Sequence, residues 1–367
     1  MPKKIDKVFF VSFLLLLLSG LIVFMSTSLG IYARDSAKFT SIVFSQLFFG
    51  LFLGSVACFI TSKIKYQYWQ RFSFYIFILS ILLTLLVFIP GIGISHGGAK
   101  RWIYIGTLSF QPLEFLKIGF IIYFAAWISG VKDQIKTLRY GLLPFVILMS
   151  IIGGILLSQP DTDSFVIIFL TGLSMYIVGG AKWRHIFLVI LMGIICLAGL
   201  FMMRPYLLGR LTTFLEPGAN SLTSGYQIQQ SLIAVGSGQI FGRGLGQSVQ
   251  KFKFLPESIG DAIFPIAAEE FGFVGGVFII LLFLFFAVRG LKIVSRAPDQ
   301  FGGLLVLGIV ILITIQSFIN IASMIGIIPL SGSPLIFFSQ GGTALMFSLL
   351  EIGIIINVSK YRKVTYK

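Results

Sequence analysis

The sequence predicts an all-α integral membrane protein with about ten transmembrane helices, on three observations. Hydrophobic residues make up 57% of the 367 positions and charged residues 11%, where a soluble domain carries about 25% charged residues. Phe occurs 39 times, more than an aqueous surface can hide. The apolar residues also fall in long runs, and a run of about 20 is what crosses about 30 Å of hydrocarbon. Open sheet edges cannot be satisfied in lipid, so such runs are read as helices.

In chain order the runs are 9–30, 41–61, 72–90, 113–130, 141–158, 164–180, 186–203, 265–290, 301–325 and 339–358. The first follows Lys3 and Lys4 like a signal peptide, but it is long enough to span and no small-residue cleavage site follows, so it reads as an uncleaved helix. The whole chain, 1–367, reads as one membrane domain with no soluble domain appended. Lys and Arg number 28 against 13 Asp and Glu. In a soluble protein that excess would suggest nucleic acid; here it follows the spans, and no nucleic-acid partner is expected. With the N-terminus inside, the inner segments hold Lys3, Lys4, Lys7, Lys63, Lys65, Arg71, Lys132, Lys136, Arg139, Lys182, Arg184, Arg289, Lys292, Arg296, Lys360, Arg362, Lys363 and Lys367. The short outer loops hold only Arg34, Lys38, Lys100 and Arg101. Both termini are therefore expected to be cytoplasmic. Cys58 and Cys196 lie inside spans, and His96 and His185 fall on opposite sides, so the sequence shows no His-based metal site.

Two outer segments are longer than the rest, and loops of that length are usually functional. One is 91–112, Gly-rich and then amphipathic, with Trp102 suited to the headgroup level. The other, about 204–264, is polar, rich in Gly and Ser and lightly basic. Its GRGLGQS stretch, from Gly242, resembles a phosphate loop but lacks the flanking strand and the Lys-Ser/Thr pair. Asp6, Asp133 and Asp299 sit among inner bases and read as solvated charge balance. The remaining acids cluster toward the outer half, except Glu351 in the last span. An acid at mid-membrane costs about 2.5–3.5 kcal/mol on insertion scales, so each needs a partner, water or a function. Glu114 and Lys117, three apart, share a helix face: either they neutralise each other, or Lys117 meets an anionic lipid head. Asp261, Glu269 and Glu270, entering the membrane together, suggest a polar cavity.

Four ordered segments carry a resemblance to a known family. GGAKRWIYIGTLSFQPLEFLKI (97–118), QPDTDSF (159–165), GYQIQQSLIAVGSGQIFGRGLGQSVQKFKFLPESIGDAIFPIAAEEFGFVGG (225–276) and IIPLSGSPLIFFSQGGTALM (327–346) resemble the signatures of the SEDS family. The uninterrupted GRGLGQSVQKFKFLPE run looks more like the family's division member than its elongation member. The sequence departs from the family pattern at Ile259, Gly260 and Ala262, which flank Asp261, and at Gly97 and Gly98.

The resemblance implies a peptidoglycan glycosyltransferase that polymerises lipid II in the bacterial cytoplasmic (inner) membrane for septal wall synthesis, releasing undecaprenyl pyrophosphate. It also implies a class B penicillin-binding protein as transpeptidase partner, with other divisome proteins. Asp261 is implied as the catalytic base for an inverting displacement; alternatively it holds a divalent cation, Mg²⁺ or Mn²⁺, against the diphosphate. No cofactor motif is evident. The cations offered for the leaving group are Lys100, Arg101, Lys117, Arg204, Arg210, Arg243, Lys251 and Lys253, with Arg101, Lys117 and Arg210 at family-motif positions. Trp102, Gln111, Glu114, Gln227, Gln230, Glu257 and Glu270 complete the expected substrate-binding set. Rival readings are a lipid II flippase and an elongation-type polymerase.

Overall fold

The structure, a computed structural model, describes residues 5–96, 99–105, 108–216, 224–252 and 254–361. Lys3, Lys4, Gly97, Gly98, Lys253, Arg362, Lys363 and Lys367 lie outside the described residues. Thirteen longer helices, a short 3₁₀ turn (Lys132–Lys136) and one small sheet are described. The helices are α1 (Lys7–Tyr32), α2 (Ser36–Lys63), α3 (Tyr66–Arg71), α4 (Ser73–Phe88), α5 (Pro112–Val131), α6 (Leu138–Ser158), α7 (Thr162–Val178), α8 (Trp183–Met203), α9 (Pro205–Leu215), α10 (Ser224–Ser237), α11 (Ile263–Val294), α12 (Gln300–Met324) and α13 (Gly342–Ser359). Among the described residues 8 helices are long and apolar enough to cross a membrane, and α4 and α7 are shorter apolar helices. Each of the ten expected spans therefore has its helix, in a multi-pass bundle. The last begins at Gly342 rather than 339, because residues 327–341 form an irregular segment tucked back into the bundle.

Helix starts follow capping chemistry. Asp6, Asp35, Asp161 and Asp299 each accept a hydrogen bond from a backbone N–H of the first turn of α1, α2, α7 and α12. One of these corrects the reading of inner acids as solvated: Asp6 is buried and pairs with Arg289 at 2.9 Å, whereas Asp299 is exposed and also accepts from the Tyr66 hydroxyl. α12 and α13 are the most enclosed spans and α8 the most lipid-exposed. Residues 45–53 of α2 are wound as a π-helix.

The amphipathic segment 91–112 is not a loop. It forms an antiparallel sheet of β1 (Gly93–His96), β2 (Ala99–Ile105) and β3 (Leu108–Phe110), in the order β1-β2-β3. Gly93 pairs with Ile103 and Ile94 with Trp102, with a bulge between Ile94 and Ser95; Ile103 pairs with Phe110. Alternation puts Arg101 and Ile103 on one strand face. The expected long loop 204–264 contains two helices, α9 and α10.

Candidate functional site

Asp261 stands on the last turn before α11. The Glu257 carbonyl accepts hydrogen bonds from the Gly260 and Ala262 amides, at 2.9 and 3.2 Å, and this tight turn sets the Asp261 backbone. Asn320, near the end of α12, then clamps it: its Nδ2 donates to the Asp261 carbonyl and to the Ser333 carbonyl, both at 2.7 Å. The Gln340 amide donates to the Ile259 carbonyl at 2.8 Å. The turn is thus held against the irregular 327–341 segment from two sides, over a small apolar cluster of Ile228, Leu255, Ala262, Ile266, Met324 and Leu330.

The Asp261 side chain is half-buried. Its Oδ1 is buried and has no hydrogen-bond partner among the described residues. Burial, and after it the charge of Glu257, push the carboxyl up to about 7, against the opposing pull of the Asp261 backbone amide, then Arg210, then the Ala262 amide. Arg210 comes from α9, where Nη1 binds both Asp163 carboxylate oxygens at 3.1 and 2.9 Å. Asp163 also accepts from the Gly332 amide at 2.8 Å, which ties α7, α9 and the 327–341 segment together. Among the described residues Arg210 Nε and Nη2 donate to no protein acceptor.

The first and second motifs meet at Arg101. Its guanidinium donates to the Gln159 and Pro160 carbonyls and lies 3.6 Å from Asp161. Burial raises the Asp161 carboxyl and Arg101 holds it down. Arg101 is 27% exposed and Trp102 half-buried in the sheet beside it. Gln111 is the N-cap residue of α5, before Pro112. Gln227 and Gln230 sit one turn apart on α10; Gln227 Nε2 is buried without a partner among the described residues. Glu257 is exposed beside Asp261, at a positive φ of 47°.

Several expected substrate-binding residues are committed elsewhere, and the expectation for them is corrected. Lys117 is buried, bound to Glu114 at 2.7 Å and to Gln316 Oε1 at 2.9 Å; Gln316 Nε2 in turn donates to the Pro334 carbonyl. The neutralising reading of Glu114 and Lys117 holds here, and the pair supports the 327–341 segment from below. Lys251 and Glu270 are both 0% exposed at the side chain and pair at 2.8 Å, with Ser26 of α1 also bound to Glu270. Glu269 binds the Ser248 hydroxyl and the Val249 and Gln250 amides. Glu269 and Glu270 therefore fasten the 238–252 segment and do not line an open polar cavity with Asp261. Four of the GRGLGQS amides are likewise spent within the protein: Gly242 and Gln247 donate to the Gly238 and Gly244 carbonyls, and Arg243 and Gly244 to the Glu269 and Glu270 carbonyls.

Sequence reasoning passed over Asn320, Gln316 and Asp163 as site residues. The signal for the first two was present: they are amides four apart in an otherwise apolar span, hence on one helix face. Among the described residues no cluster of three or more His, Cys, Asp or Glu is placed to hold a metal.

Comparison with known proteins follows the same residues. The family model "Cell cycle protein", which joins FtsW, RodA and SpoVE, matches residues 6–364. Stage V sporulation protein E of Bacillus subtilis is 38% identical over 353 residues, covering 95% of each chain. The probable peptidoglycan glycosyltransferase FtsW of Trichlorobacter lovleyi is 35% identical over 340 residues, covering 93% of this chain and 89% of the other. Among solved structures, a chain described under the structural coordination of polymerization and crosslinking by a peptidoglycan synthase complex superposes with a TM-score of 0.77 at 24% identity over 98% of both chains. The rod shape determining protein RodA of Thermus thermophilus superposes at 0.67, with 24% identity over 96% of this chain and 97% of that one; these two share the fold. With one family model running nearly end to end and full-length relatives above the 30% level, the chain belongs to the SEDS family of cell cycle proteins, on its FtsW-like side.

Proposed function

We propose that this chain is a peptidoglycan glycosyltransferase that polymerises lipid II for septal wall synthesis, with Asp261 as its base. One observation carries the chemistry: a carboxyl raised to about 7, with a buried oxygen that has no partner among the described residues, near the Arg210 charge. A base poised near neutrality takes a hydroxyl proton far better than an ordinary aspartate does. The acceptor sugar's 4-hydroxyl gives its proton to Asp261 as its oxygen bonds to the donor's anomeric carbon. The bond from that carbon to the diphosphate breaks, undecaprenyl pyrophosphate leaves, and the centre inverts from α to β. Arg210, held by Asp163 with Nε and Nη2 to spare, is placed to take charge on the departing diphosphate. Arg101 braces the start of α7, which carries Asp163, through Asp161.

The cation reading of Asp261 fits in a restricted form. Its Oδ1 offers one hard oxygen, and with no further carboxylate cluster among the described residues a Mg²⁺ or Mn²⁺ would draw its other ligands from substrate phosphate and water. Such an ion would screen the diphosphate's charge. The FtsW name of the relatives supports the septal role and an inner-membrane location. The fold shared with a chain of a peptidoglycan synthase complex supports a class B penicillin-binding protein as transpeptidase partner.

The test is polymerisation of purified lipid II by the reconstituted protein with that partner, with wild type and Asp261→Asn side by side, each with and without Mg²⁺ or Mn²⁺. Glycan strands from wild type and none from Asp261→Asn are expected. Polymer from both would remove Asp261 from the reaction. Polymer from neither, with lipid II crossing the bilayer, would replace the polymerase with a transporter.

A further inference from the structure

The end of the bundle opposite Asp261 holds a second constellation that the glycosyltransferase chemistry does not use. α12 separates the two ends: Asp299 caps its start and Asn320, near its finish, clamps Asp261. Its 25 residues span about 37 Å. At the far end, Lys65, Gln67, Tyr68, Arg71 and Tyr361 line an open recess of about 420 Å³, the size of a small-ligand site.

The backbone behind the recess is fixed. The Tyr66 amide donates to Asn357 Oδ1 at 3.0 Å, and Asn357 Nδ2 and Lys360 Nζ both donate to the Ser62 carbonyl, at 2.9 and 2.7 Å. The Tyr66 and Tyr361 rings meet edge-on at 5.5 Å, which joins α3 to the end of α13. The acid in contact with this corner is Asp299, and it is bound to two neutral donors, the Tyr66 hydroxyl and the Gly302 amide. Among the described residues none of Lys63, Lys65, Arg71 and Lys360 forms an ion pair. Burial, and then the neighbouring Lys63 charge, hold the Lys360 ammonium below its ordinary range. The corner is a preformed concavity rimmed by uncompensated positive charge, which an anion would relieve.

We propose that this recess binds the phosphate of an anionic phospholipid, with Lys65 and Arg71 as its charged contacts. The lipid source is favoured by what adjoins the recess. Tyr68 is 52% exposed at its rim, and α4, which starts two residues after Arg71, presents Tyr75, Leu79 and Leu82 outward. A headgroup seated on Lys65 and Arg71 would lay its acyl chains along that face, with the tyrosines at the interface level where such rings collect. Basic pockets between spans on the cytoplasmic side are suited to this class of ligand, and the distribution of Lys and Arg makes this end cytoplasmic.

The test is native mass spectrometry of the purified full chain in detergent, titrated with phosphatidylglycerol or phosphatidylcholine. Wild type should retain phosphatidylglycerol in preference to phosphatidylcholine, and Lys65→Ala with Arg71→Ala should weaken that retention by about tenfold or more. Both side chains are exposed, so the fold should tolerate their loss. Lys65→Arg with Arg71→Lys keeps the charge and should keep the lipid. Lys182→Ala with Arg184→Ala removes two exposed cations elsewhere on the same face and should change nothing. Equal retention by wild type and Lys65→Ala/Arg71→Ala would overturn the site. Equal loss in the Lys182→Ala/Arg184→Ala control would replace it with a diffuse surface charge. Displacement of phosphatidylglycerol by inorganic phosphate would overturn the lipid assignment.

Discussion

Asp261 owes its basicity to its surroundings at the scale of single side chains. Burial disfavours its anion and Glu257 adds like-charge repulsion, while backbone amide hydrogen bonds and Arg210 oppose both, leaving the carboxyl at about 7. A proposed base must be deprotonated to act, so polymerisation should fall as pH drops below about 7 and level off above it. Glu257→Gln removes the repulsion that raises the pKa, so the same limb should move to lower pH with its plateau largely kept. A pH–rate profile of the two proteins checks this; a limb that does not move would separate Glu257 from the Asp261 titration. The family resemblance singles out Asp261 in the sequence; its scarcity and position alone mark it only as one of three acids entering a span. The clamp was not legible there, because Asn320 reaches Asp261 across 59 positions of sequence and carries no charge to draw attention. Lys251 and Glu270 were misjudged for the opposite reason. Scarce charges near the membrane suggest a substrate, and only the fold shows that these two neutralise each other.

α11 illustrates what happens at the scale of an element. It breaks at Gly272, where φ is +68°, and the break frees backbone groups within the membrane region. The 239–244 segment satisfies them. Arg243 and Gly244 donate to the Glu269 and Glu270 carbonyls, and the Phe273 and Val274 amides donate to the Gln239 and Ile240 carbonyls. This contact requires Gly242: its φ is +83° and a Cβ there would meet the Glu270 carbonyl oxygen at 2.2 Å. The Lys251–Glu270 pair and the Glu269 bonds then lock the same segment to α11 and α1. Glu270→Gln leaves Lys251 buried without its counter-charge, a loss on the order of 3–5 kcal/mol. Glu270→Gln is therefore expected to unfold at a clearly lower temperature in detergent, and Lys251→Met combined with Glu270→Met to recover most of the difference. A single variant as stable as wild type would mean that the pair does not hold the segment. The ten spans were readable from apolar runs, but these smaller elements were not. The sheet is built from strands too short to show a period against a Gly-rich background, and α9 and α10 are mixed enough in polarity to read as loop.

For the whole molecule, the arrangement is two-ended. The most enclosed spans, α12 and α13, run between the Asp261 turn and the Lys65–Arg71 recess, and the two ends differ in charge. At one, acids and bases are mixed, with Asp163 paired to Arg210 beside Asp261 and Glu257, while Lys63, Lys65, Arg71 and Lys360 gather at the other without ion pairs among the described residues. Insertion retains Lys- and Arg-rich short segments on the cytoplasmic side. The Asp261 end is therefore expected to face outward, where an extracytoplasmic polymerase must meet its substrate, with both termini expected inside. Cysteine accessibility checks this directly. With Cys58 and Cys196 replaced by Ala, Leu245→Cys, exposed in the segment packed on the α11 break, should react with a membrane-impermeant maleimide on intact cells. Lys136→Cys, between α5 and α6, should react only after the membrane is opened. The reverse pattern would invert the protein in the membrane. It would place Asp261 on the cytoplasmic side and the cationic recess against the outer leaflet, and would remove the basis for both the polymerase geometry and the lipid site.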